Sequence, residues 1–203
     1  LQAAGEAGRG APVALGIVRA DGPTLYNSMV VLDPVGQVTA TYDKHHLVPF
    51  GEYMPFRPVL SALGLHVFAD MFGNGFGEGD GAKTLDFGPL GKALPLICYE
   101  AVFAHDVGGA AERPNFLIQL TNDAWFGTFA GPKQHLAQAK MRSIEQGLPM
   151  ARAANTGISA MIDPYGRVLK SLALNEAGYV DASLPMPLPP TVYSKLGDLP
   201  VAL

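Results

Sequence analysis

One cysteine, one lysine and a few carboxylates in this chain are placed where they could do covalent chemistry together. Cys98 is the single cysteine and ends the apolar run Leu94-Pro95-Leu96-Ile97; Tyr99 and Glu100 follow at once. A thiol at the C-terminal end of a buried strand faces a substrate and lies near backbone N–H donors. It becomes a nucleophile when a base or a nearby cation favours its thiolate. A buried cysteine finishing a core strand is the plain alternative, and the two polar residues behind it argue against that. Lys44 stands in Tyr42-Asp43-Lys44-His45-His46-Leu47-Val48-Pro49-Phe50-Gly51-Glu52-Tyr53. On position alone it is either a solvated cation or the cation of a site, and Glu52 either a solvent or a site carboxylate. His45-His46 is not read as a metal centre. Neighbours on an extended segment face opposite ways, and no Cys, Asp or Glu sits at ligand spacing with them. Neither a metal nor a cofactor is expected. Thr121-Asn122-Asp123-Ala124-Trp125-Phe126-Gly127 holds the single tryptophan, and Asn122 or Asp123 reads there as a helix cap. The sequence has no Gly-rich phosphate loop and no G-x-S-x-G elbow, so nucleotide and serine-hydrolase chemistry have no support.

The elements that must position these residues are short and mixed. Of 203 residues only 16% are charged, against roughly 25% in an average soluble domain. Gly (24) and Pro (17) are in excess. This excludes a coiled coil and a highly charged disordered chain. The net charge of −4 offers no basic stripe, so no nucleic-acid partner is expected. No apolar run reaches the length of a membrane span. The Leu1 start and the apolar Leu199–Leu203 end lead us to expect a piece of a longer protein.

Strands are expected at Pro12–Val18, Tyr26–Leu32 and Val38–Tyr42, the last two as a hairpin. Residues 45–81 then lose all periodicity, yet carry many aromatic and aliphatic side chains. Such a stretch reads as an ordered apolar active-site arm, with a short helix near Val59–Leu65. Further strands are expected at Lys83–Phe87, Lys92–Cys98 (short or locally unpaired at Pro95), Asn115–Leu120, Met150–Ala154, Ser159–Ile162, Arg167–Leu174 and Tyr179–Leu184. A short helix is expected at Phe103–Ala111. A longer one opens at Gly131-Pro132 and closes at Gly147, with Ala137, Met141, Ile144 and Leu148 as its apolar stripe. Residues 185–203 read as an extended tail. Buried strands with helices outside give a layered α/β fold in a single domain over 1–203.

These motifs resemble, in order and spacing, the nitrilase-like domain of the bacterial apolipoprotein N-acyltransferases. The resemblance rests on Lys44 with Leu47-Val48-Pro49-Phe50-Gly51-Glu52-Tyr53 and Pro55, and on Ile97-Cys98-Tyr99-Glu100. Thr121–Gly127 with Pro132, Gln134 and His135, then Arg152-Ala153, Asn155–Ser159 and Asp163…Gly166, extend it from about residue 12 to 198. It implies a four-layer α-β-β-α sandwich, here incomplete at the N-terminus. It also implies a Glu-Lys-Cys triad in which Cys98 is the nucleophile and Lys44 the oxyanion stabiliser. Glu52, Tyr99 and Glu100 are then supporting residues. The implied reaction moves an acyl chain from a phospholipid to Cys98 as a thioester. The chain then passes to the α-amine of a lipoprotein's lipidated N-terminal cysteine. The implied partners are those two substrates and a membrane surface, at the bacterial inner membrane with this domain on the periplasmic side.

The family's general-base glutamate precedes the lysine motif in a Pro-Glu segment. Only Glu6 precedes Lys44 here, in no such motif, so the base is expected upstream of Leu1 and a membrane helix beyond the tail. A nitrilase-like amidase acting on a small carbon–nitrogen bond is the alternative, and a non-catalytic scaffold the third reading.

Overall fold

A computed structural model describes residues 1–56, 59, 62–63 and 75–199. The chain opens on helix α1 (Gln2–Ala7), then folds β1 (Val13–Asp21), β2 (Thr24–Leu32) and β3 (Val38–Asp43) into a three-stranded antiparallel sheet. The turn between β2 and β3 is held by Asp33, whose Oδ1 accepts from the Val35 and Gln37 N–H groups, an Asx turn. A second sheet has the order β4 (Leu85–Asp86), β5 (Lys92–Ile97), β6 (Phe116–Asn122), β7 (Met150–Asn155), β8 (Ser159–Ile162) and β9 (Val168–Leu172). Its middle strands β5, β6 and β7 run parallel, connected through α2 (Ala104–Gly108) and α3 (Gly131–Gln146). Pro95 is tolerated inside β5 because β4 pairs only with Lys92 and Ala93, leaving no strand on that side of Pro95.

The two sheets stack through Met29, Val31 and Tyr42 on one side and Leu85, Ala93, Ile97 and Phe116 on the other. A second core lies under α2 and α3, where Leu94, Leu96, Leu117, Met150 and Ile162 meet Val107, Ala139 and Leu148. The described layers are therefore helix, mixed sheet and antiparallel sheet, an α/β architecture of the nitrilase type. Helix α1 lies against the β2–β3 turn, with Gly5 close to Asp33 and Gly36 and Gly8 close to Val13.

Several expectations are corrected. The strand expected at Tyr179–Leu184 has no ladder. Leu184 packs on the inter-sheet core and the Lys170 ammonium donates to the Asp181 carbonyl. The tail is not wholly extended: helix α4 (Val192–Leu196) forms within it. The Leu188 N–H bonds the Gly147 carbonyl, so the tail folds back on the end of α3. The helix expected at Val59–Leu65 lies outside the described residues but for Val59, Ala62 and Leu63, where the Leu63 N–H donates to the Val59 carbonyl at 3.0 Å. Helix α3 starts and stops as its Pro132 and Gly147 require, with Gly147 left-handed. Of the expected stripe only Leu148, just past the helix, is buried, and Ala137 is exposed. Met141 and Ile144 are 51% and 50% exposed, while His135, Arg142, Ser143 and Gln146 are buried. Two of these polar side chains reach the cysteine turn, His135 at the Cys98 carbonyl and Arg142 at the Val102 carbonyl.

Candidate active site

Four chain segments meet at the C-terminal ends of the strands, where α/β sheets present their ligands. Lys44 follows β3, Cys98 follows β5, Asp123 follows β6 and Asn155 ends β7. Cys98 is not the last residue of a strand, as the sequence suggests, but opens a 3-10 turn over Cys98–Val102. Its φ is +50°. A non-glycine residue in that left-handed region costs about 1–2 kcal/mol, so the surroundings must hold it. The thiol is partly exposed.

Glu100 does the first part of that holding. Its carboxylate is fully buried. One oxygen accepts from the Tyr42 hydroxyl at 2.7 Å and from the His45 and His46 N–H groups at 2.9 and 3.3 Å. The other accepts from the Ile97 N–H at 2.7 Å, capping the turn that carries Cys98. One side chain thus binds the lysine segment to the cysteine segment. His45 adds its Nδ1 at 2.8 Å, and this Glu100 contact raises the imidazole above its ordinary value despite burial. Burial, reinforced by the Glu100 charge, pushes the Tyr42 phenol up, so it stays a neutral donor. Removing the carboxylate strands several buried donors at once. Glu100→Ala is expected to lower the unfolding free energy by about 3–5 kcal/mol, read from the urea midpoint; a loss under about 1 kcal/mol contradicts this role.

Lys44 is 1% exposed and its Nζ lies 2.6 Å from Glu52 Oε2. Glu52 also accepts from the Val48 N–H and the Asn27 amide, each at 2.8 Å. Glu52 is therefore the carboxylate that aims the ammonium, not a solvent group. The far end of the arm returns here. The Gly79 N–H donates to the Lys44 carbonyl at 2.9 Å. A side chain at Gly79 would collide with the Asp43 backbone. Tyr99 stacks edge-on against His46 and Phe103, and its ring packs the turn from outside.

A buried polar network, unassigned from sequence, lies beneath Cys98. Asp123 accepts from Thr121 at 3.0 Å and Arg152 at 2.7 Å, and its other neighbour is His135 Nδ1 at 2.8 Å. Arg152 also bonds the Gln119 side-chain oxygen and the Ile158 carbonyl. Burial alone would raise the Asp123 carboxyl; His135 and Arg152 outweigh it and hold the group below its ordinary value. Gly157 packs against the Asp123 carboxylate with no room for a Cβ. The expected cap is Asn122, which accepts from the Ala124 N–H. One signal was available in the sequence: Gln119 and Arg152 interrupt otherwise apolar strands, and buried charges are rare without partners.

The metal expectation needs one amendment. Asp106, from α2, does reach the histidines: His46 Nδ1 lies 2.7 Å from its Oδ2 and His105 Nε2 3.0 Å from its Oδ1. Ligand atoms of a tetrahedral zinc ion stand about 3.3 Å apart. The shorter separations here are those of charge-assisted hydrogen bonds, with His46 also stacked on Phe103 at 3.6 Å.

The segments that carry Lys44 and Asp123 also carry exposed aromatic side chains. Trp125 and Phe129 are 84% and 90% exposed, and Phe50, Tyr53 and Phe56 of the lysine segment are exposed as well.

Comparison with known proteins places this arrangement. The carbon-nitrogen hydrolase family model matches residues 9–188. The apolipoprotein N-acyltransferase of Bradyrhizobium diazoefficiens is 52% identical over 178 residues, covering 88% of this chain and 33% of that protein. The one from Rhodopseudomonas palustris is 46% identical with the same coverage. The chain thus spans about a third of the length of these relatives. Among solved structures, an amidase from Nesterenkonia sp. aligns with a TM-score of 0.63 at 21% identity, over 97% of this chain and 68% of its own. A CN-hydrolase superfamily protein from Xanthomonas campestris gives 0.61 at 18%, over 83% and 60%. These two show the fold alone. Matched over most of its length by that family model, the chain belongs to the carbon-nitrogen hydrolase family.

Proposed function

We propose that this chain carries the reacting groups of an N-acyltransferase acting on lipoproteins. The observation that carries the reading is the Glu100 tie, which brings the Lys44 segment and the Cys98 turn together. The acyltransferase names of the most similar relatives support it, as do the exposed aromatics Phe50 and Phe56 after Lys44 and Trp125 and Phe129 after Asp123. Exposed aromatics gathered at a site mark an apolar ligand or surface, whereas a small polar amide needs none of them.

In this reading the Cys98 thiolate attacks the ester carbonyl carbon of a phospholipid. The ester C–O bond breaks, and the lysolipid oxygen leaves with a proton. The acyl group remains on Sγ as a thioester. The α-amine of a lipidated N-terminal cysteine then attacks the same carbon, the C–S bond breaks, and the thiolate returns as the amine proton departs. In both steps negative charge builds on the carbonyl oxygen, where the Lys44 ammonium stabilises it. No carboxylate of this chain is assigned as the base. Glu52 is committed to Lys44, and Glu6 lies exposed on α1 beside Gln2. The work is done at the bacterial inner membrane, with this domain on the periplasmic side. Among the described residues no helix is long and apolar enough to cross a membrane.

The test presents the whole gene product with vesicles of acyl-labelled phospholipid and a diacylated lipopeptide bearing a free N-terminal amine. Label is expected on the peptide amine, and on Cys98 when the peptide is withheld. Release of ammonia from small amides, with no label moved, assigns the chain to the amidases instead.

A further inference from the structure

We propose that His135 and Gln119 are positioning residues for Cys98, acting on its backbone carbonyl rather than on its sulfur. The proposal rests on reading Cys98 as the nucleophile. Two side chains from different elements converge on one oxygen. His135 Nε2, from α3, lies 3.1 Å from the Cys98 carbonyl oxygen, and Gln119 Nε2, from β6, lies 3.2 Å from it. Both side chains are buried. A carbonyl only accepts, so each nitrogen bonded to it donates; since His135 Nδ1 donates to Asp123, the assignment requires a proton on both ring nitrogens, the Gln119 nitrogen standing 3.2 Å from Nε2 as a neighbour and not as its donor. Nor is the orientation of either donor left free. Arg152 bonds the Gln119 side-chain oxygen, which leaves the amide nitrogen toward Cys98. Asp123 holds His135 through Nδ1 at 2.8 Å, which aims Nε2 at the same carbonyl.

The target of the clamp explains its use. Cys98 sits at φ +50°, a conformation that a side chain of its kind adopts only when the surroundings dictate it. Its carbonyl and the Tyr99 N–H share one planar trans peptide and point opposite ways. Fixing the oxygen therefore fixes the plane, and with it the direction of the Cα–Cβ bond that carries Sγ. A misplacement of the order of 1 Å is enough to cost about 100-fold in rate. The charged pair Asp123–Arg152 touches neither the thiol nor the carbonyl; it orients the two donors.

The network makes a second assignment possible, in which His135 merely satisfies Asp123. Two substitutions separate them. In His135→Gln the side-chain amide reaches the place of Nε2, keeping a donor for the carbonyl and losing the Asp123 contact. In His135→Asn the amide reaches the place of Nδ1, keeping Asp123 and losing the clamp. The readout is the rate of Cys98 alkylation by iodoacetamide in the whole gene product, with acyl transfer measured alongside and folding checked by thermal unfolding. Alkylation and kcat are expected to stay within about threefold of wild type in His135→Gln. Both are expected to fall at least tenfold in His135→Asn, with KM little changed. Gln119→Leu, which removes the second donor, is expected to behave like His135→Asn. Equal rates in the two His135 variants, or the reverse order, overturn the proposal. Alkylation in the expected order, with no acyl transfer even by the wild type, upholds the clamp and overturns the acyltransferase reading instead.

Discussion

Cys98→Ala in the whole gene product is expected to abolish acyl transfer, with a loss of about 10⁴-fold or more, while the fold persists. Alanine removes Sγ and leaves the carbonyl on which Gln119 and His135 close. It tolerates a φ of +50° no worse than cysteine does. The near-ultraviolet spectrum and the unfolding midpoint should stay close to those of the wild type. No thioester can form, so neither the peptide nor residue 98 acquires label. Residual transfer within tenfold of wild type would falsify the nucleophile assignment.

The second large effect belongs to Lys44. Lys44→Met keeps the length of the side chain and removes its charge. Losing one preorganised donor at a developing oxyanion costs about 3–4 kcal/mol, or 10²–10³ in kcat. The same change leaves Glu52 partly buried without its cation, and breaking such a pair lowers stability by about 3–5 kcal/mol. The two losses are separable. The double variant Lys44→Met with Glu52→Gln removes the stranded charge, since the glutamine can still accept from Asn27 or Val48. Stability should recover in the double variant while kcat does not. If both recover together, the lysine serves the fold and not the reaction.

The reach of the sequence differs between elements for physical reasons. Helix α3 was readable at its ends, because Pro132 and Gly147 act through local backbone geometry. Its facing was not. The stripe does not say which face packs: Ala139 meets the apolar core while His135 on the same side reaches Cys98, and Met141 and Ile144 are left outside. The strand expected at Tyr179–Leu184 fails similarly, because a run of suitable residues does not reveal whether a partner edge is in register. Lys44, Cys98, Glu52 and Glu100 were picked out by their motifs. That Glu100 ties two segments, and that Asp106 reaches His46, are long-range facts that no local pattern contains. Gln119, Asp123, His135 and Arg152 stood within quoted motifs or apolar strands, yet their common target, a backbone carbonyl, has no signature in side-chain types.

The Glu100 tie also bears on how the site comes into being during folding. Its partners in the lysine segment lie 54 and 55 residues away, on the far side of the inter-sheet core. Contacts of such separation must overcome a large loop-closure entropy and form late. A chain with only one sheet formed lacks the Glu100 tie, and with it part of what holds the cysteine's strained backbone. The Cys98 turn is therefore held in its left-handed geometry only once both sheets have formed.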